Sequence, residues 1–311
     1  MRLIVILFFL TISQCLAATY VGGEVCKTCH SDIADTFNKN PHFRFVPAYG
    51  DKDGRAGCES CHGPGSDHVK KPSKATIAAF SVMRPEQVLE SCLSCHGKQL
   101  NRSNIHGSEH TLAGVACSSC HSIHGKNSPE TYRKTAGFRA SRSLLKDKQV
   151  DLCYSCHPDI RAQFSLPFKH RVNEGSVSCT DCHNPHGTPG ATWRMGTRPR
   201  MVRQTGSGEE TCLQCHTDKR GPFVFEHAAV RVDGCETCHS PHGSTNARLL
   251  RRPVVFTLCL ECHNGAGTFG RNNDGVNRQT SSHDLSSPRY HNCTACHVRV
   301  HGSNTDPRFL R

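Results

Sequence analysis

Apolar residues are concentrated at the start of the chain and are thinly scattered after it. Residues 3–12 form a predominantly apolar run, which follows Arg2 and precedes a small-residue stretch at 16–18. This succession predicts a secretory signal peptide over residues 1–18. Every later apolar run is interrupted by Pro or Gly well before the roughly 20 residues that a membrane-spanning helix needs. We therefore expect an exported protein whose mature chain has no membrane helix.

The mature chain carries few signals for regular secondary structure. Pro85 is a favourable first-turn residue for a helix that runs into Cys92. Residues 31–38 have a helical pattern, and Ser207 with Glu210 predicts a capping box. Gly, Pro and Asn punctuate the rest, and no strand alternation is sustained. The pattern predicts short helices joined by coil, with little or no β structure.

The sequence Cys-x-x-Cys-His occurs ten times. Its two sulfurs, one helical turn apart, can add to the two vinyl groups of a haem, and the adjacent His then lies under the iron as proximal ligand. One Cys-x-x-Cys alone would also suit half a zinc site or a disulfide, but a His after the second Cys in every copy excludes chance and zinc. The attachment cysteines are Cys26, Cys29, Cys58, Cys61, Cys92, Cys95, Cys117, Cys120, Cys153, Cys156, Cys179, Cys182, Cys212, Cys215, Cys235, Cys238, Cys259, Cys262, Cys293 and Cys296. The predicted proximal ligands are His30, His62, His96, His121, His157, His183, His216, His239, His263 and His297.

The remaining cysteine, Cys15, lies inside the predicted signal peptide. It would mark a lipoprotein, although Gln14 stands where a small residue is expected. Cleavage after Ala18 leaves no cysteine for a disulfide or a catalytic nucleophile. Hydrophobic residues make up 36% of the chain and Trp193 is its single tryptophan, so the polypeptide alone would make a poor core. We expect the haems themselves to be most of the buried apolar matter.

The formal net charge of the chain is +12. Such a basic balance usually suggests nucleic acid or an anionic membrane as partner. Two propionates on each of ten haems would add about −20, and each ferric bis-His haem about +1. The propionates therefore explain the excess of Lys and Arg, and no nucleic-acid partner is expected.

Taken in pairs, the motifs form five repeats of one dihaem module. The modules run over residues 26–68, 92–124, 153–186, 212–242 and 259–301, and in modules two to four the second motif ends as His-x-x-His-Gly. Module one diverges through Gly63-Pro64-Gly65 before His68, and module five has one extra residue before His301. Each module brings two attachment sites and at least two further histidines.

Twelve of the 22 histidines remain for ten distal positions once the proximal ligands are assigned. Their recurrence at the same place in each module favours ligands over surface residues. Spacing favours His110 over His106 in module two and His283 over His291 in module five, and both choices stay open. The predicted distal ligands are His42, His68, His110, His124, His170, His186, His227, His242, His283 and His301.

A histidine three residues after the proximal ligand cannot reach the opposite face of the same porphyrin. The segment between them spans only about 10 Å when extended, and it would have to pass around the ring edge. His124, His186 and His242 must therefore each ligate another haem. We expect this cross-ligation to fix the spacing of neighbouring haems and to give a succession of closely spaced redox centres.

In its motifs, modules and export signal the chain resembles the MtrA/DmsE family of decahaem periplasmic cytochromes. The resemblance covers essentially the whole mature chain and includes the runs at 221–230 and 238–252. It implies bis-His ligation and a multihaem cytochrome c fold: mostly coil with short α-helices wrapped round a linear array of ten haems, in an extended rod of five dihaem modules. The expected organisation is a signal peptide over 1–18, modules one and two over 19–125, and modules three to five over 126–311.

The resemblance also implies an electron-transfer protein, not an enzyme, that relays electrons between the periplasm and the cell exterior in extracellular respiration or metal oxidation and reduction. It would lie in the periplasm against the outer membrane, as the core of a complex with an outer-membrane β-barrel porin sheath, an extracellular multihaem cytochrome and a periplasmic or inner-membrane cytochrome donor. The alternatives are a multihaem oxidoreductase with one open-coordination haem, and a free periplasmic shuttle or cytochrome filament. An open haem would need a motif without its His or a shortage of distal histidines, and the sequence has neither.

Overall fold

The computed structural model describes residues 17–38, 40–43, 57–99, 102–124, 144–188, 211–263, 283 and 287–310. Most of the predicted signal peptide, including Cys15, and the predicted capping box at Ser207 lie outside these residues. Within them the chain is coil interrupted by short helices, with no strand and four isolated β-bridges. The prediction of a mostly coil fold with short helices is confirmed. None of the helices in the described part has the length and apolarity required to cross a bilayer.

The described α-helices are short, and most of them carry or flank an attachment motif. They are α1 (Gly23–Lys27), α2 (Ser31–Phe37), α3 (Glu59–His62), α4 (Ser66–Lys70), α5 (Pro85–His96), α6 (Glu109–Leu112), α7 (Cys117–Cys120), α8 (Gln149–Tyr154), α9 (Pro158–Gln163), α10 (Cys179–Cys182) and α11 (Val255–Leu260). The motifs at Cys212, Cys235 and Cys293 lie in 3-10 helices instead, at Thr211–Gln214, Cys235–Thr237 and Cys293–Ala295.

The longest of these helices, α5, begins where the sequence predicts. Pro85 occupies its first turn, and the backbone N–H of Arg84 donates to Gln87 Oε1 at 3.0 Å. Val88 and Leu89 are buried, whereas the motif lies on the last turns of the helix. The predicted helix at 31–38 is also confirmed, as α2.

Each motif folds as a single helical turn. In nine of the ten, the backbone N–H of the motif histidine donates to the carbonyl of its first cysteine at 2.9–3.0 Å, and the tenth motif lies inside α5. This turn places the two thiols and the imidazole on a common side, as covalent attachment of a macrocycle requires.

The chain divides into two compact units. The first comprises the described residues up to Gly97 together with those of Gly114–Lys146, and contains both motifs of modules one and two. The second comprises the described residues of Lys98–Ala113 and Asp147–Arg311, and contains modules three to five. The boundary at residue 125 stays a prediction.

The described part buries few apolar side chains. The second unit holds one small cluster, formed by Tyr154, Phe164 and Val172, with Val150 and Ile160 among the side chains packed against it. The Tyr154 hydroxyl donates to Asn173 Oδ1 at 2.8 Å. That bound macrocycles supply most of the buried apolar matter stays a prediction.

Candidate haem-binding sites

Histidine rings meet in pairs in both units. In each of nine pairs a predicted proximal ligand faces a predicted distal ligand, with ring centroids 5.8–6.3 Å apart. The pairs in the first unit are His30–His68, His42–His96 and His62–His124. Those in the second unit are His110–His157, His170–His216, His183–His242, His227–His263, His239–His301 and His283–His297.

The rings of these pairs lie further apart than the rings in contacts of histidine with Phe or Tyr in the described residues. Contacts of histidines with Phe or Tyr rings have centroid distances of 4.4–5.4 Å. A metal ion between two trans imidazoles, with metal–nitrogen bonds of about 2 Å, holds the ring centroids roughly 6 Å apart. The histidine pairs are thus spaced for an iron between them, and the residues present fit a bis-His haem.

The pairs follow a regular exchange between modules. The histidine between the two motifs of a module faces the first proximal ligand of the next module, as seen for His42, His110, His170 and His227. The terminal histidine faces the second proximal ligand of the preceding module, as seen for His124, His242 and His301. The two end positions differ, because His68 and His283 face proximal histidines of their own modules.

The geometry favours one histidine of each ambiguous pair. His110 lies 6.1 Å from His157, whereas His106 is exposed in the 3-10 helix Ile105–Gly107. In module five, His283 lies 6.0 Å from His297. The ring of His291 packs instead against Phe256, with centroids 4.4 Å apart.

Two predicted ligands, His121 and His186, belong to different units. Their ligation stays a prediction. Iron coordination by the other predicted ligands is likewise a prediction, which the nine pairs support through their spacing.

Within modules one, three and five, the first cysteines of the two motifs lie against each other. Burial and then the neighbouring Cys58 raise the pKa of the Cys26 thiol to about 11. Burial and Cys293 raise the pKa of Cys259 to about 12. In module three, a hydrogen bond with Cys153 lowers the pKa of Cys179 to about 7. The two attachment sites of a module are therefore immediate neighbours.

Cysteines of adjacent modules also influence one another. Burial raises the pKa of Cys61, Cys182 and Cys238, and smaller contributions come from thiols of the following module, at Cys95, Cys212 and Cys262 respectively. Together with the three pairs of cysteines within modules, these three pairs between modules show six cases in which successive attachment sites are neighbours in space.

The second ring nitrogen of the histidines between motifs has a recurrent partner. Nδ1 of His110, His170 and His227 lies 3.3, 2.7 and 2.8 Å from the carbonyls of Pro185, Pro241 and Val300. Each of these carbonyls belongs to the residue just before a terminal histidine. Because a carbonyl can only accept, Nδ1 must carry the proton, and Nε2 is left for a metal.

Proximal histidines of the second motif are held in the same way. Nδ1 of His62, His239 and His297 donates to the carbonyls of Ala78, Arg248 and Arg308 at 2.7, 2.9 and 2.5 Å. The acceptors lie on the segment that follows each motif and turns back beside it. In six of the nine pairs, a backbone carbonyl therefore fixes one of the two imidazoles in one tautomer.

The returning segment has a feature that the sequence analysis missed. Leu144, Leu249 and Phe309 occupy equivalent places after the second motif and have φ of 51°, 59° and 60°. This left-handed conformation costs about 1–3 kcal/mol in a residue other than glycine. The recurring triplets Leu-Leu-Lys, Leu-Leu-Arg and Phe-Leu-Arg at these places were the available signal.

Burial lowers the pKa of several paired imidazoles, and neighbouring positive groups add to the effect. The affected residues are His42, His124, His242, His263 and His301. A lowered pKa favours the neutral ring, which is the form that binds a metal.

Doubled attachment motifs and paired histidines define the class of protein: a multihaem c-type cytochrome, which transfers electrons. The family model for the doubled CXXCH motif matches residues 170–221 and 227–268, and the model for cytochrome c-type protein NrfB-like matches residues 58–137. The chain is 32% identical over 293 residues to the multiheme cytochrome MtrA of Shewanella baltica (strain OS185), covering 91% of this chain and 79% of that protein. It belongs to the MtrA family of multihaem cytochromes.

Two further relatives are more distant. The cytochrome c-type protein NrfB of Escherichia coli O6:H1 is 25% identical over 166 residues, which is 51% of this chain and 81% of NrfB. The C-type polyheme cytochrome OmcB of Geobacter sulfurreducens is 21% identical over 306 residues, 92% of this chain but 37% of OmcB. All three relatives are cytochromes by name, in agreement with the class that the site defines.

Proposed function

We propose that the chain holds ten covalently attached haems, each with two histidine ligands, and that it conducts electrons without binding a substrate at iron. The observation that carries the proposal is the set of nine histidine pairs at 5.8–6.3 Å. Bound haem iron supplies a one-electron ferric–ferrous couple.

The residues of the chain explain why conduction is the preferred function. The two histidines of a pair would hold a bound haem iron from both sides, which would leave no position for a substrate. In six of the pairs a backbone acceptor at Nδ1 holds one imidazole in place, which limits rearrangement of the site on a change of charge. The contacts between cysteines of successive motifs bring several neighbouring attachment sites within each unit close together, as electron transfer between them requires.

Through its resemblance to MtrA-type cytochromes, we propose that the protein works in the periplasm as the core of a porin–cytochrome complex in the outer membrane. A polar coil cannot face lipid, since each unsatisfied backbone group there costs several kcal/mol, and a closed barrel is one of two structures that span a bilayer. The proposed partners are a β-barrel sheath, an extracellular multihaem cytochrome and a periplasmic or inner-membrane cytochrome donor.

The test is affinity purification of the full-length protein from detergent-solubilised outer membranes. We expect a β-barrel protein to co-purify, ten haems per chain in a haem assay, and low-spin spectra in both redox states. Recovery from the soluble periplasm without a barrel protein would favour a free shuttle. A substantial high-spin ferric fraction, or fast carbon monoxide binding after reduction, would favour an enzyme with an open haem.

A further inference from the structure

One histidine between motifs departs from the pattern of its three counterparts. His110, His170 and His227 donate directly to the carbonyl before a terminal histidine. The corresponding carbonyl for His42 is that of Ile123. Its contact is made instead by the side chain of Asn40, whose Nδ2 donates to Ile123 O at 2.6 Å.

The Asn40 amide is placed between this carbonyl and the His42 ring. Asn40 Oδ1 lies 3.1 Å from His42 Nδ1 and also accepts the backbone N–H of His42 at 2.9 Å. Because Nδ2 faces the Ile123 carbonyl, the amide cannot be turned round without setting two oxygens against each other. Asn40 is only 5% exposed, so water cannot readily replace these bonds.

We propose that Asn40 is a positioning residue for the haem attached at Cys92 and Cys95. Its amide oxygen keeps the proton on Nδ1 of His42, leaves Nε2 for the iron, and fixes the plane of the ring at 75° to that of His96. The inference rests on the proposed function, in which His42 and His96 are the two axial ligands of this haem.

Two measurable properties depend on this amide. The angle between the axial imidazole planes sets the splitting of the iron d orbitals, and with it the EPR g-values of a low-spin ferric haem. Only His42–His96 and His170–His216, at 75° and 64°, are near perpendicular among the nine described pairs. The reduction potential also depends on the acceptor, because a stronger acceptor at Nδ1 makes the imidazole more basic and favours ferric iron.

The experiment uses the full-length holoprotein with two substitutions of opposite effect. Asn40→Leu removes the acceptor, so one of the two near-perpendicular EPR signals should change and one haem should shift to higher potential. Asn40→Asp keeps the acceptor oxygen at His42 Nδ1 and strengthens it by charge, at the cost of setting its second oxygen against Ile123 O, so one haem of the holoprotein should shift to lower potential. Asn38→Leu, at an exposed position two residues away, is the matched control and should match the wild type. A merely structural role would not give shifts of opposite sign.

His42→Met separates failure of this inference from failure of the proposed function. If His42→Met leaves every haem spectrum unchanged, His42 is not a ligand, and both proposals fail for this haem. If His42→Met alters one haem while Asn40→Leu and Asn40→Asp both retain the wild-type EPR signals and potentials, the role of Asn40 is wrong. Should Asn40→Leu not accumulate as holoprotein, the nearly isosteric Asn40→Asp decides alone, through the presence or absence of the downward shift.

Discussion

The two end sites and the interior sites of this cytochrome obtain their distal histidines differently. The first site pairs His30 with His68 and the last pairs His297 with His283, each within one module. The described interior pairs join histidines of two successive modules, as His183 and His242 do. A repeat whose units exchange ligands with both neighbours leaves one site unmatched at each end. The atypical end modules are therefore the caps that a repetitive architecture requires.

The cap of module one has a structural cause. Gly63, at φ +73°, ends α3 after the second motif, and the chain then enters α4 with His68. The side chain of Glu59 holds this turn, accepting Gly65 N–H at 2.7 Å and Gly22 N–H at 2.7 Å. After this longer connection His68 faces His30 of its own module, whereas the terminal histidines His124, His242 and His301 face histidines of the preceding module.

The largest expected effect follows from removal of an interior ligand. His242→Met should give methionine ligation to the haem at Cys179 and Cys182, because His242 faces His183. Axial ligands span about 0.8 V of haem potential, so this haem should rise by on the order of a few tenths of a volt. The haem ligated by His170 should also respond, since His170 is bonded to the carbonyl of Pro241.

The charge-transfer band of methionine ligation locates the change. Loss of the Cys179–Cys182 attachment in the His242→Met background should abolish the band, and loss of the Cys235–Cys238 attachment should leave it. The reverse result would show that the terminal histidine ligates the haem of its own motif, and the exchange between modules would be wrong.

Removal of an end ligand should affect one site alone. His68→Ala should open the haem at Cys26 and Cys29, giving one high-spin ferric haem and carbon monoxide binding after reduction, because His68 faces His30. Its Nδ1 lies 3.0 Å from the carbonyl of Ser73, which follows module one and precedes module two, so no haem of another module should change. Spectral change at a second haem would contradict the independence of the end site.

The carboxylate of Glu59, which holds the turn in module one, should contribute measurably to stability. Glu59 is 2% exposed and accepts the backbone N–H groups of Val21, Gly22 and Gly65. Glu59→Ala leaves these donors unsatisfied and should lower the local free energy of unfolding by roughly 2–3 kcal/mol. Hydrogen exchange of the three amides measures the effect. Glu24→Ala, at a largely exposed carboxylate, is the control, and equal loss of protection in both variants would refute the role.

An interior module has a different source of stability, the apolar cluster of module three. Tyr154→Phe keeps the buried ring but removes its hydrogen bond to Asn173, and should lower the free energy of unfolding by about 1 kcal/mol. Denaturant unfolding of the holoprotein measures this loss. Tyr290→Phe retains a ring that packs against His283 and should leave the midpoint in place. An unchanged midpoint in Tyr154→Phe would show that the Tyr154 hydroxyl does not contribute to stability.

The smallest expected effect on the haem spectra comes from substitution of His106 and His291, the two histidines that are not predicted as ligands. His106→Ala and His291→Ala should leave all haems low-spin, since His110 and His283 face the proximal rings. Haem content and the ferric EPR spectrum check this expectation. A new high-spin signal in either variant would show that the substituted histidine is a haem ligand, in place of His110 in module two or His283 in module five.

Much of the site could be predicted because covalent attachment imposes a spacing that the sequence displays directly. The motif turn, the set of histidines and the exclusion of His124 and His242 from their own haems all follow from short-range reach. The sequence does not show whether a distal histidine serves the preceding or the next module, since no local feature distinguishes the two. The Nδ1 acceptors were missed because a backbone carbonyl has no residue signature. Asn40 was missed because an asparagine before proline also suits an ordinary turn.

Exchange of ligands by one module in each direction also has a consequence for the evolution of this chain. Duplication or loss of an interior module preserves the register, because its neighbours then face each other with complementary histidines. Loss of a terminal module instead leaves a proximal histidine of the adjacent module without its distal partner, and it removes the end module whose histidines pair with each other. Descendants of such a gene would therefore be expected to gain or lose cofactors two at a time from the middle, while both ends are inherited intact.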